Sequence, residues 1–349
     1  MMRNKLILRI AWGSVAFLTL LVIVMGSLIY NKIYTSNVSI DDSGAQYLYI
    51  PTGSGLEDVI GILKENKLLI SEKSFRWTAL QMKYDLSVKP GRYLLKAKMN
   101  NKDLVTLLRS GQQSPVRVTF NNIRSLEQLA KKVGEQIEAK PADILRLLND
   151  ESYVSSIGFS RSNVFAMFIP NTYEFYWNTS ADRFLTRMKK EYDRYWNAQR
   201  LNQAENIGLT PIEVSVIASI VQLESNKEDE KPIIAGVYMN RYNKNWKLEA
   251  DPTLVYALGD YSVKRILNAY KEIDSPYNTY RYRGLPPGPI CLPSPASISS
   301  VLNYVPHKYM YFCAKDDFSG YHEFSATYSE HLQNARRFQR ALDKRGIRS

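Results

Sequence analysis

Glu224 is the first residue whose type and position suggest chemistry. Thr210 is an N-cap type, Pro211 suits a first helical position, and Glu213 completes a capping box, so a helix opens there. Val214, Ile217 and Val221 recur on one face at steps of three and four, and the next step of three reaches Glu224. A carboxylate on an apolar face loses hydration, and at a helix C-terminus it also meets the negative end of the dipole. Both effects favour the protonated form, which a general acid needs near neutral pH. The bland reading is a helix-end glutamate paired with a cation, for which Lys227 and Arg241 are available.

Other groups read two ways. Tyr277-Asn278-Thr279-Tyr280 offers phenols and an amide suited to sugar faces and hydroxyls, or a polar turn anchored by two tyrosines. The run Gly284-Leu285-Pro286-Pro287-Gly288-Pro289-Ile290 is a stiff loop, since prolines fix φ and glycines permit close approach. Asp251-Pro252-Thr253 reads as a helix start, with Asp251 as cap. His307, His322 and His331 are isolated and show no ligand spacing, so neither metal nor cofactor is expected. No serine sits in a nucleophile-elbow motif.

The elements that must position these residues follow from patterning. Residues 46–50 (QYLYI) alternate as a strand, and Ser54 with Glu57 has capping-box spacing. Leu56, Val59, Ile60 and Leu63 then form a helical stripe. A helix at 71–82, a strand at 91–96 and a helix at 101–109 complete a small α+β module within 45–110. A strand at 114–120 and a helix capped by Ser125 and Gln128 open the remainder, which spans 114–349 and is mainly helical around an aromatic segment at 168–177. Strand-like runs at 309–315 and 321–325 precede a basic tail helix over 336–348, read as a solvated face. The expected class is therefore α+β, with the chemistry in 205–345.

Composition sets the surroundings. The chain has 349 residues, with 46 Lys plus Arg against 34 Asp plus Glu. No basic block, zinc-finger spacing or Gly-rich phosphate loop accompanies the excess, so nucleic acid is not the expected partner; anionic lipid or an acidic polymer suits it better. Cys291 and Cys313 are far from any CxxC pattern and read as small buried hydrophobes rather than a disulfide. Residues 10–30 carry no charge, and twenty-one helical residues span roughly 31 Å, the thickness of a bilayer's hydrocarbon core. Arg3, Lys5 and Arg9 precede this run and only Lys32 closely follows, which places residues 1–9 in the cytoplasm and the rest outside. Residues 31–44, small and polar for the most part, read as a tether.

Several motifs in order resemble one family. They are Ala218-Ser219-Ile220-Val221-Gln222-Leu223-Glu224-Ser225, Asn240-Arg241, Asp251-Pro252-Thr253-Leu254-Val255-Tyr256, Ser275-Pro276-Tyr277-Asn278-Thr279-Tyr280 and the 284–290 loop. Together they resemble the endolytic murein transglycosylases of the YceG-like type, as do Pro170-Asn171-Thr172-Tyr173-Glu174-Phe175 and the 45–110 module, which looks like LysM. The resemblance implies that Glu224 is the catalytic acid and base. It further implies that Gln222, Ser225, Asn240, Asp251, Tyr277, Asn278, Tyr280 and Pro286 contact substrate. Gln222 departs from relatives that carry a second Glu there, and Ile169 and Asn171 depart from an LFPDTY-like stretch. The implied reaction cuts the MurNAc–GlcNAc bond of peptidoglycan and closes a 1,6-anhydro ring, which needs no water and no second carboxylate. It would take place at the inner membrane, beside peptidoglycan synthases. Two other readings stay open: a peptidoglycan-binding protein without activity, and a hydrolytic muramidase whose second carboxylate is Glu228, Asp229 or Asp251.

Overall fold

The computed structural model describes residues 2–41, 44–263 and 266–346, with side chains from residue 9 onward. It is a mixed α+β chain, mostly helical, that divides into two compact units. The first takes in the chain up to Arg117 together with Glu174–Thr179; the second is Val118–Tyr173 and Ser180–Ser349.

The first unit begins with α1 (Met2–Tyr34), of which Arg9–Tyr34 is long and apolar enough to cross a membrane. Then come β1 (Ala45–Ile50), α2 (Leu56–Glu65), α3 (Glu72–Gln81), β2 (Gly91–Lys96) and α4 (Asn101–Ser110). The strands pair antiparallel, with Leu48 opposite Tyr93. Alternation puts Leu48 and Ile50 of β1, and Tyr93 and Leu95 of β2, on the inner face. There they meet Val59, Ile60 and Leu63 of α2, Phe75 of α3 and Leu104 and Leu108 of α4.

Two expectations need correction here. The cap of α2 is Gly55 rather than Ser54, because the Gly55 N–H donates to Asp58 Oδ2 at 2.8 Å and so closes the box one residue later. The segment after the apolar helix is not a free tether. Asn37 is buried and donates to Asn101 Oδ1 at 2.7 Å and to the Ser71 carbonyl at 3.0 Å, while Val38 is buried in the core. The end of α1 is held too, since the Lys32 carbonyl accepts from Asn101 Nδ2 at 2.8 Å. A buried amide that bonds both the carbonyl and the N–H of Ser71 and the side chain of Asn101 fixes a segment that composition alone marks as loose. Positions 42 and 43 lie outside the described residues.

β3 (Val116–Phe120) pairs with β4 (Asn171–Phe175). Between them lie α5 (Leu126–Gly134), α6 (Pro141–Leu148) and α7 (Glu151–Ser156). Then follow α8 (Ala181–Tyr195), α9 (Ala198–Asn206), α10 (Pro211–Glu224), α11 (Lys231–Asn243), α12 (Asp251–Leu258) and α13 (Pro295–Leu302). A hairpin of β5 (Tyr311–Ala314) and β6 (His322–Ser325) leads into α14 (Tyr328–Lys344); the last two positions of the expected tail helix lie outside the described residues.

The core of the second unit is built around α10. Its start matches expectation: Thr210 Oγ1 accepts from the Glu213 N–H, and Glu213 reaches back to the Thr210 N–H at 2.8 Å. Its middle does not. Residues 214–221 are buried on every face, so α10 is a central helix rather than one with a single apolar stripe. Ile234, Ala235 and Tyr238 of α11 and Ile298 and Val301 of α13 join the same core. Ser215 and Ser219 survive in it because their hydroxyls return to the carbonyls of Pro211 and Val216.

Candidate active site

Glu224 is the last residue of α10, where the helix leaves the core, and its side chain is half-buried. The Tyr238 hydroxyl on α11 donates to Glu224 Oε1 at 2.6 Å. Burial pushes the Glu224 carboxyl up to about 7; the Tyr238 hydrogen bond and the charge of Arg241 pull it down, and the charge of Asp251 pushes it up further. The expected direction of the shift and its main cause, desolvation, are both present. Tyr238 itself is buried and its own ionisation lies well above the usual phenol range, so it serves as a donor only.

Two hollows border Glu224. The larger, about 610 Å³, is lined among others by Arg124, Asp251, Tyr256, Tyr261 and Tyr280. The smaller, about 270 Å³, includes Tyr238, Arg241, Tyr311 and Tyr328. Arg241 is buried and held by the carbonyls of Met310 at 2.8 Å and Leu248 at 2.6 Å, with Glu249 Oε2 at 3.5 Å. It therefore acts on Glu224 as a nearby charge and not as an ion-pair partner. Lys227 points elsewhere, with its ammonium over the Tyr321 ring at 4.7 Å.

Of the residues implicated by sequence, Asp251 and Tyr280 join Glu224 at the larger hollow. The Tyr280 hydroxyl donates to Asp251 Oδ1 at 2.5 Å. Asp251 is not a cap: the cap position of α12 is Ala250, and Asp251 is the first helical residue, with its side chain on the wall of the hollow and hydrogen-bonded to Tyr280. The reason lies behind it. The Ala250 N–H is taken by Thr279 Oγ1 at 3.0 Å, and Thr279 Oγ1 is also 2.8 Å from Thr253 Oγ1, so two buried threonines anchor this turn.

The others are spent on the frame. Gln222 Oε1 accepts from the Ser294 N–H at 2.5 Å and Nε2 donates to the Leu292 carbonyl at 3.1 Å, tying α10 to the start of α13. The buried Ser225 donates to Glu230 Oε2 at 3.1 Å, and Glu230 also accepts from the His322 N–H at 2.7 Å, which pins the loop after Glu224. Asn240 holds the carbonyls of His307 and Tyr309 at 2.8 and 2.9 Å. Asn278 is fully buried: Nδ2 donates to the carbonyls of Lys271 and Ile273 at 2.8 Å each, and Oδ1 accepts from the N–H groups of Tyr280 and Arg281. Tyr277 rests its ring 4.6 Å from that of Tyr256 and donates to the Ser162 carbonyl at 3.3 Å. Pro286 is buried in its loop, where Gly288 passes so close to the Ser162 carbonyl that a Cβ could not fit.

Sequence reasoning passed over Tyr238, Arg124 and Tyr261. Tyr238 stands fourteen positions from its partner Glu224 on another helix, and no local spacing marks such a pair. The one available signal was a tyrosine within the apolar stretch of α11, where a buried hydroxyl needs an acceptor.

An acid that burial leaves about half-protonated near neutrality, at the edge of a tyrosine-lined hollow that it shares with Asp251, has the makings of an acid/base catalyst for an extended polar substrate. Residues 48–337 match the YceG-like family, and the chain belongs to it. It is 28% identical over 325 residues to the endolytic murein transglycosylase of Bacillus subtilis, covering 88% of this chain and 89% of that one. It is also 28% identical over 323 residues to the endolytic murein transglycosylase of Streptococcus pneumoniae, but spans only 57% of that protein's length. The crystal structure of a YceG-like protein from Listeria monocytogenes superposes with a TM-score of 0.55 at 27% identity, over 83% of this chain and 99% of that one.

Proposed function

We propose that this chain is a lytic transglycosylase that cuts peptidoglycan glycan strands internally, with Glu224 as the only acid/base group. The observation that carries this reading is the Glu224 carboxyl, which burial leaves half-protonated near neutral pH beside the Tyr238 donor. The names of the B. subtilis and S. pneumoniae relatives support the substrate class.

In this mechanism protonated Glu224 gives its proton to the oxygen linking MurNAc C1 to GlcNAc as that bond breaks. The carboxylate then takes the proton of the MurNAc C6 hydroxyl, and the C6 oxygen bonds to C1, closing the 1,6-anhydro ring. One carboxyl gives and regains one proton, and no water enters. Tyr238 keeps Oε1 occupied, so the proton moves through Oε2. Replacing Glu224 with Gln keeps the shape and the acceptor for Tyr238 but removes the proton, and cleavage should fall at least about 100-fold.

A second reading, a hydrolytic muramidase, draws support from Asp251, which borders the same hollow as Glu224. Glu228 and Asp229 fit that role less well, being engaged with Lys231 at 2.6 Å and with the Tyr321 hydroxyl at 3.2 Å. The sugar ends released by the enzyme separate the two readings.

The apolar helix over Arg9–Tyr34 suits a single-pass anchor in the cytoplasmic (inner) membrane, with the N-terminus inside, where cutting would limit strand length beside the synthases. Alkaline-phosphatase fusions after residue 40 should then be active. The strand–helix–helix–strand module suits a LysM-like role in holding glycan, and its removal should weaken binding to sacculi while sparing cleavage of short soluble strands.

A further inference from the structure

A second hollow, about 530 Å³, opens beside the larger one that Glu224 borders, and Leu223 and Arg124 line both. Leu223 directly precedes Glu224, so the two spaces meet within one residue of the acid. Their linings differ in kind. Tyr256, Tyr261 and Tyr280 line the first, whereas the second has no aromatic side chain among the described residues. Asn121, Asn122 and Asn226 line it instead, and among the described residues their side-chain amides make no hydrogen bond to the protein. Its charged groups are Arg124, Lys231 and Glu228; Lys231 is buried and paired with Glu228 at 2.6 Å, while the Arg124 guanidinium lies over the Tyr261 ring at 5.5 Å and has no carboxylate partner among the described residues.

Aromatic faces suit sugar rings, while unspent amides beside a guanidinium that has no carboxylate partner among the described residues suit a peptide that carries carboxylates. On the substrate proposed above, such a peptide hangs from the lactyl ether of MurNAc, the sugar whose C1 bond breaks. A substituent of that sugar must leave the line of the glycan next to the acid, which is where the second hollow opens. We infer that this hollow, built by Asn121, Asn122, Asn226 and Arg124, receives the acidic peptide stem of the MurNAc at the point of cleavage. The enzyme then reads whether the strand still bears stems at the bond it cuts. This rests on the glycan-cleaving reading, and its test is separable from that reading.

Binding to the full-length Glu224→Gln protein reads the hollow without any cleavage. Stem-bearing glycan strands and the same strands stripped by an amidase are titrated in parallel. The stem-bearing strands should bind about tenfold more tightly, as two or three new hydrogen bonds allow. Adding Asn121→Ala and Asn226→Ala, both at exposed positions, should bring the two affinities to within about twofold while leaving that for stripped strands unchanged. Equal affinities in the Glu224→Gln protein, or a preference that survives the asparagine substitutions, would overturn the inference. Whether the intact enzyme cuts either strand bears on the cleavage reading alone.

Discussion

The hydroxyl of Tyr238 donates to Oε1 of Glu224 at 2.6 Å across the gap between two buried helices. That bond stabilises the charged carboxylate against the burial that disfavours it. The two effects act in opposition, and burial prevails. The site is thereby left near the pH at which a single group can both give and take a proton.

Tyr238→Phe removes the opposing effect. The Glu224 carboxyl should become harder to ionise, and the alkaline limb of the pH–rate profile should move to higher pH by about one unit, the value of a hydrogen bond to a charged group. A pH profile is the measurement; a limb unmoved or displaced downward would show that Tyr238 merely packs.

In the unsubstituted enzyme the acid must be protonated to act, so kcat/KM should decline as pH rises through about 7. A plateau reaching beyond pH 9 would mean that another group donates the proton.

The same shift has a cost in stability. Glu224 holds its proton more tightly when folded than when unfolded, so the unfolding free energy should fall as pH rises from about 4.5 to about 7 and then level off. Glu224→Gln removes this dependence and should stabilise the protein above pH 7, by up to about 3 kcal/mol. Denaturant melts of both proteins at pH 4 and pH 8 read the difference: near zero at the first, positive at the second.

Much of this arrangement was legible in local sequence, and the rest was not, for physical reasons. Caps are local, so Thr210 with Glu213 and Ser125 with Gln128 located two helix starts. Ser54 with Glu57 missed by one residue because Gly55 with Asp58 offers the same chemistry one step on. Periodicity placed Glu224 at a helix end, yet it could not tell a striped helix from one buried all round, since residues 218–220 are small or apolar on every side. Contacts between distant segments left no trace: Asn37 with Asn101, and Glu224 with Tyr238, are pairs that only the fold creates. The polar residues around the YNTY segment showed the opposite problem, since an amide suited to a sugar is equally suited to a turn.

Asn278 makes that last point testable. It is fully buried and spends its amide on four backbone partners, so Asn278→Ala should destabilise the second unit by several kcal/mol. Activity should be lost in step with folding, and KM should be little changed at a temperature where the variant is folded. A raised KM in a variant of unchanged melting temperature would return Asn278 to the substrate.

The most direct test of the account is the mass of the sugar ends that the intact enzyme releases from purified sacculi. Catalysis by Glu224 alone, with ring closure by the C6 hydroxyl, predicts 1,6-anhydro-MurNAc ends, lighter by one water than hydrolysed ends and absent from digests with Glu224→Gln. Reducing MurNAc ends would contradict it, and would make Asp251 the second carboxylate of a hydrolase.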